Sequence, residues 1–407
     1  MKKVWAAVLA ASLLMTTVSG TTVEAKSWKY DHVHQDFSET QDLTKLENLF
    51  SIENFKAMDS IFPYNRIETE GGRKEYQKKY SKKNDISKLE YKFDGEKRKV
   101  EDLLSKTNTG GILVLKKGKI AIEKYFNGYD EESTVTSWSV AKSYISALIG
   151  IAVNEKKIHS INDLVTAYVP ELKGSGYDGV TIKQVLEMSS GVRFNEDYTD
   201  PDSDLNQLIG YLFFEGGSID EYVKGLVRET KPGTHKYKSV DTQVLGMILK
   251  KATGVPVSKY LEEKIWKPMG ATHDAYWSTD LTGNEISFAL LNANMKDMAK
   301  FGELMMNEGK FKGKQIIPKQ WAIDSVKPHR KELAPGTADP YFGYGYQWWV
   351  PQNAKYGEEF SAIGIYGQFI YVNKKYDVVI VKSSCDPLVI ENDAETIEAF
   401  RSIARNM

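Results

Sequence analysis

Ser139 and Lys142 lie three residues apart in Thr136-Ser137-Trp138-Ser139-Val140-Ala141-Lys142-Ser143-Tyr144-Ile145-Ser146-Ala147-Leu148-Ile149-Gly150, and Ser-x-x-Lys recurs at no other serine of the chain. The segment reads as a buried helix opening at or just before Ser139. Residues three apart share a helix face, so the amine lies one turn from the hydroxyl, and the free N–H groups of the first turn point the same way. An ammonium at the start of an apolar helix is desolvated; its pKa falls, and the neutral amine can take the hydroxyl proton. A chain with this much serine and lysine shows the bare pattern by chance, so the pair carries weight only with further pieces.

A second piece is Lys231-Pro232-Gly233-Thr234-His235-Lys236-Tyr237-Lys238-Ser239, a Pro-Gly turn leading to a Tyr-x-Ser at the mouth of another helix. That helix carries Val240, Val244, Leu245, Ile248 and Leu249 at helical spacing and stops at Gly254, with Pro256 beyond. A phenol at Tyr237, flanked by a lysine ammonium, can relay a proton between Ser139 and a leaving group, with Ser239 as a hydrogen-bonding neighbour. Packing is the ordinary role of such a tyrosine. The third piece is the glycine-bearing strand Phe360-Ser361-Ala362-Ile363-Gly364-Ile365-Tyr366-Gly367-Gln368-Phe369. Glycine in a strand marks a close approach to the backbone or a bulge; a strand N–H beside that of Ser139 can bind the oxygen of a tetrahedral intermediate.

The elements that must position these groups are legible in outline. Gly111-Ile112-Leu113-Val114-Leu115, a Lys116-Lys117-Gly118-Lys119 turn and Ile120–Phe126 read as an antiparallel hairpin. Phe369–Val372, Asn373-Lys374-Lys375 and Val378–Val381 read as another, followed by a helix over Asp393–Ala404 with Ile397, Phe400 and Ile403 on one face. Residues 139–304 read as mostly helical. The expected class is therefore α+β: an antiparallel sheet made from both chain ends, flanked by helices, with a mainly helical region inserted.

Composition removes several alternatives. The 407 residues carry 54 Lys+Arg against 55 Asp+Glu, a formal charge of −1, so there is no global basic field to hold nucleic acid. The six histidines and the single cysteine, Cys385, form no zinc-ligand spacing, and no metal or organic cofactor is required. Cys385 itself reads as structural. Residues 1–25 start with Lys2-Lys3, run through an apolar stretch and reach Val23-Glu24-Ala25, a signal-peptidase pattern. The apolar part is too short to span a bilayer. The expectation is a cleaved signal peptide, a secreted protein without a stable membrane span, a polar 26–104 extension wrapping the core and a 105–407 domain. Gly-x-Ser-x-Gly is absent, which excludes the α/β-hydrolase nucleophile elbow.

In their order along the chain, the three pieces resemble the serine β-lactamase and penicillin-binding superfamily, specifically the class C-like branch that includes β-lactamase-fold carboxylesterases and 6-aminohexanoate-dimer (nylon oligomer) hydrolases. The resemblance runs from about residue 105 to the C-terminus. Ile161–Val165 with Tyr168–Leu172, Thr181–Gly191 and Leu291–Phe301 look like recurrent blocks of that family. It implies a β-lactamase/transpeptidase-like fold, Ser139 as acyl-forming nucleophile, Lys142 and Tyr237 as acid/base pair, and the N–H groups of Ser139 and Ile365 as oxyanion hole. In the alternative register, Ile365-Tyr366-Gly367, the donor is Gln368.

One departure shapes the substrate expectation. The strand position where relatives carry a cation, as in Lys-Thr-Gly, holds Ala362 or Ile365 here. That cation helps hold the carboxylate of penicillins and of D-Ala-D-Ala peptides, so its absence argues against efficient chemistry on them. Gly364-Ile365-Tyr366-Gly367-Gln368 looks instead like the nylon-oligomer hydrolase pattern, with Tyr366 near the substrate. Tyr198 lies at the spacing of a tyrosine that bonds the scissile amide in those enzymes. Asp197, Asp200, Asp202 and Asp204 form either a cation-facing or a solvated acidic loop. The expected substrate is a small ester, amide or short oligomer. The alternatives are a D,D-peptidase or class C-like β-lactamase, and a non-catalytic sensor.

Overall fold

The computed structural model describes residues 49–71, 76–78 and 85–407. The expected signal peptide, its cleavage point after Ala25 and much of the polar extension lie outside the described residues.

The expected hairpins form and join one sheet. Among the described residues its strands are β1 (Thr109–Lys116), β2 (Lys119–Tyr125), β3 (Phe342–Tyr344), β4 (Trp349–Pro351), β5 (Glu359–Gly364), β6 (Gln368–Asn373) and β7 (Val378–Ser384), ordered β3-β4-β5-β6-β7-β1-β2. Every neighbouring pair is antiparallel, and β7 against β1 joins the two ends of the chain. The β1–β2 turn places Lys117 and Gly118 both at positive φ, 51° and 66°, the geometry of a two-residue hairpin turn.

These strands read as continuous apolar runs because both faces are covered. Leu113, Leu115, Ile370, Val379 and Val381 pack into one cluster, while Ile112, Val114, Phe369, Tyr371, Val378 and Ile380 pack into another on the opposite face. Of helices α1 (Ala141–Asn154), α2 (Ser239–Thr253), α3 (Met295–Met306) and α4 (Val389–Asn406), the last two supply the partners and the first two pack against each other. α3 lies on the first face, where a Cβ on Gly302 would meet Val379 and Ile370 at 2.5 and 2.8 Å. α4 lies on the second and buries Ile397, Phe400 and Ile403, the expected stripe.

The inserted region differs from its mostly helical reading. It contributes strands Ala275–Ser278 and Leu291–Asn294 to a second sheet, with Tyr64–Ile67 on one side and Thr134–Thr136 on the other. These strands have three or four residues and little apolar alternation, so only their distant partners define them. The polar character of residues 26–104 also hides a core segment. Phe55, Met58, Ile61, Phe62 and Ile67 are buried, and Cys385 Sγ donates to the Phe50 carbonyl at 3.3 Å. Burial pushes the Cys385 thiol up to about 12, which keeps it a thiol rather than a nucleophile.

Candidate active site

Ser139 sits in the tight turn Trp138–Val140, which runs directly into α1. The turn is pinned by the Ser137 N–H donating to Leu291 O at 2.9 Å, and Trp138 takes φ +43°, an unusual region for a bulky residue. Gln347, at φ +62°, fixes the surroundings: Ser143 Oγ of α1 donates to its carbonyl, Thr242 Oγ1 of α2 donates to its Oε1, and its own Nε2 donates to Leu186 O. One residue, through its carbonyl and its side chain, thus ties both helices to the Ile182–Leu186 turn.

Lys142 Nζ lies 2.6 Å from Ser139 Oγ, 3.1 Å from Ser239 Oγ and 2.9 Å from the Phe288 carbonyl. The rings of Tyr237 and Phe288 cover it, with centroids at 5.2 and 5.5 Å. Only 2% of the residue is exposed, and this desolvation lowers its pKa to about 7 against the opposing pull of Glu196. An amine at that value is substantially neutral near physiological pH.

Tyr237 lies on the loop before α2, stacked on Trp349 at 5.2 Å and edge-on to Tyr344. Ser139 is among the groups acting on its phenol and Lys142 Nζ lies over its ring, so the structure gathers Ser139, Lys142, Tyr237 and Ser239 in one place. Burial, then the charge of Glu196, pushes the phenol far above its ordinary value. The expected flanking ammonium is corrected here. Lys236 is exposed and pairs with Glu229, and Lys238 is buried on the Val192 carbonyl; the lysine facing Tyr237 is Lys142.

Sequence reasoning missed Glu196. Its Oε1 accepts from Ser239 Oγ at 2.6 Å and from the Tyr198 hydroxyl at 3.0 Å, while its Oε2 accepts the Ser239 backbone N–H at the start of α2. Tyr198 therefore faces the site, with Tyr237 and Tyr366 among the groups acting on its phenol. The neighbouring acids do not converge on a cation position: Asp197 accepts from Thr199, Asp200 from Asp202 N–H and Asp204 from Asn195 N–H.

The expected strand over 360–369 is two strands and a turn: β5 ends at Gly364, Ile365–Gly367 turns with Tyr366 at φ +64° and Gly367 at +83°, and β6 begins at Gln368. Of the two glycines, Gly364 is the one against the serine. A Cβ there would lie 2.7 Å from Ser137 O and 3.0 Å from Ser139 N, whereas at Gly367 it would meet Ser384 Oγ and Lys382 Nζ. This puts Ile365 next to the residue facing Ser139 and directs the Gln368 side chain to the Ser384 carbonyl. Tyr366 stacks on Phe50, meets Phe55 edge-on and lies tilted against Trp138 in an aromatic wall. Within Tyr341–Trp349, Tyr344 and Trp349 flank Tyr237, and Trp348 packs edge-on against Phe360 in the core.

Among the described residues no group of three or more His, Cys, Asp or Glu side chains is arranged to hold a metal ion, and no helix is long and apolar enough to cross a membrane.

The family profile described as Beta-lactamase matches residues 97–395. A 6-aminohexanoate-dimer hydrolase of Paenarthrobacter ureafaciens is 30% identical over 298 residues, covering 71% of this chain and 75% of its own. A Bacillus anthracis structure, provisionally described as a 6-aminohexanoate-dimer hydrolase, superposes with a TM-score of 0.79 at 26% identity, over 88% of this chain and 95% of that one. A class C β-lactamase shares the fold at a TM-score of 0.57 and 18% identity, over 76% and 95% of the two chains.

Proposed function

This chain belongs to the β-lactamase family, and from that membership we propose that it is a serine hydrolase that cleaves a small ester, amide or short oligomer through an acyl-enzyme on Ser139. The observation that carries the reading is the 2.6 Å contact between Ser139 Oγ and a buried amine whose pKa is lowered to about 7. Neutral Lys142 takes the Ser139 proton as the oxygen adds to the substrate carbonyl. The resulting oxyanion is held by the N–H groups of Ser139 and Ile365 on either side of the Gly364 contact. Tyr237, kept protonated by burial, gives its proton to the leaving amine or alcohol and recovers one from the Lys142 ammonium. Water then attacks the ester on Ser139, with the same groups returning the proton to Oγ, and the acid product departs. Tyr198 and Tyr366 contact the substrate beside the aromatic wall.

An uncharged acyl group suits this site. Lys382, near the 365–367 turn, is 1% exposed and donates to Ser384 Oγ at 2.7 Å, so it is engaged behind the turn. We place the enzyme outside the cytoplasmic membrane on the strength of the 1–25 leader, with a mature chain starting at Lys26.

The test is a panel of p-nitrophenyl butyrate, 6-aminohexanoate dimer, nitrocefin and a D-Ala-D-Ala peptide, run on the wild type and on Ser139→Ala. Ester or amide turnover abolished by the substitution, with the melting temperature retained, is the expected outcome. Turnover that survives in Ser139→Ala removes the acyl-enzyme, and nitrocefin as the best substrate makes the protein a β-lactamase instead.

A further inference from the structure

Lys142 has three polar neighbours, and two of them can only accept from it. The Phe288 carbonyl can only accept. Ser239 could in principle donate or accept, but its one hydroxyl hydrogen goes to Glu196 Oε1 at 2.6 Å, which leaves its oxygen to accept from Lys142. A neutral amine has two N–H bonds and one lone pair. With both N–H bonds drawn to Ser239 and Phe288, the lone pair falls to the remaining neighbour, Ser139 Oγ at 2.6 Å.

We propose that Glu196 is a positioning residue for this reaction: by claiming the Ser239 hydrogen it fixes the direction of the Lys142 lone pair toward Ser139. The inference rests on the acyl-enzyme reading above and adds a residue to it. Glu196 reaches neither the Ser139 hydroxyl nor the Lys142 amine by any hydrogen bond and acts through Ser239. Its grip is threefold, since it also accepts the Ser239 N–H and the Tyr198 hydroxyl. An amide in its place can donate to Ser239 Oγ, freeing the Ser239 hydrogen to point at the Lys142 nitrogen and compete with Ser139. The charged and titratable groups facing Lys142 are Glu196, from the loop before Pro201, and the Tyr237 phenol, from the loop before α2. Removing the carboxylate charge takes away the one interaction that raises the amine's pKa.

The experiment reads Lys142 directly and does not require turnover: titration of the ¹⁵N-labelled lysine amine by NMR in wild type, Glu196→Gln and Ser239→Ala, with Lys142→Met to assign the signal. Hydrolysis of p-nitrophenyl butyrate is followed across pH on the same proteins. The expected result is a Lys142 midpoint lower by about one pH unit in Glu196→Gln, the acid limb of the rate profile moving with it, and a maximal rate at least tenfold lower. Ser239→Thr, which keeps the hydroxyl, recovers most of the rate that Ser239→Ala loses. A folded Glu196→Gln protein whose Lys142 midpoint or maximal rate stays at the wild-type value overturns the proposal: an unmoved midpoint means that the carboxylate does not act on the amine, and an unmoved maximal rate means that only its charge does. An amine midpoint that moves in a protein without any Ser139-dependent turnover supports the Glu196 coupling and sinks the acyl-enzyme reading separately.

Discussion

Lys142 carries an amine into a site with 2% of its surface exposed, and the burial that lowers its pKa destabilises the fold whenever the amine is charged. Its folded value of about 7 lies below the ordinary 10.5, so between those limits the unfolded chain binds the proton more readily. Stability therefore rises with pH across that window, and the full penalty is present below about pH 7. Lys142→Met is expected to lower esterase turnover about 10²–10⁴-fold while raising the unfolding free energy by up to about 5 kcal/mol at pH 6. Urea denaturation at pH 6 and pH 9.5 checks it: the advantage must shrink at the higher pH, and a constant difference would show that the amine is not charged at a cost. At this scale Ser139 and Lys142 were legible because one helical turn relates them. Glu196 was not: its partner Ser239 lies 43 residues away, and no local spacing marks one acid in Asn195–Pro201 above the others.

The turns and strand ends around the site hold side chains in places that their local sequence does not announce. Trp138, Met188, Leu290, Gln347 and Tyr366 all have positive φ, a region that costs each residue roughly 1–3 kcal/mol unless its surroundings impose it. The packing imposes it here; Trp138 is held between Phe55 and Tyr366. This explains why 360–369 reads as one strand: Ile365-Tyr366 has none of the Asn-Gly chemistry that announces a hairpin turn, and the reversal depends on tertiary contacts. The close approach at Gly364, in contrast, was visible in the glycine itself. Gly364→Ala would push a methyl group against Ser137 O and Ser139 N, both backbone atoms. The expected outcome is a fall in kcat of about 10²–10³, the effect of losing one oxyanion donor, with KM for p-nitrophenyl butyrate little changed. A loss confined to KM would place Gly364 in substrate binding instead.

Over the whole molecule, the sheet built from both chain ends followed from the two hairpin patterns and the apolar runs. The second sheet did not, because Tyr64–Ile67 finds its partner in Ala275–Ser278, far along the chain. The segment before it is integral to the domain: Phe55, 1% exposed, packs edge-on to Trp138 and Tyr366 at 5.5 and 5.4 Å. Phe55→Ala is expected to cost about 3–5 kcal/mol by chemical denaturation and to slow ester hydrolysis by loosening Trp138, the residue before Ser139; a cost under 1 kcal/mol would mean that the segment merely rests on the surface. The order of strands also bears on how the protein is made. β7 must pair with β1, and it is complete only at Ser384. A polypeptide emerging from the ribosome presents Ser139 and Lys142 early, without Gly364 beside them. Until β5 to β7 are added the pair lacks its backbone neighbour, so the close approach at Gly364 depends on the part of the chain that closes the sheet.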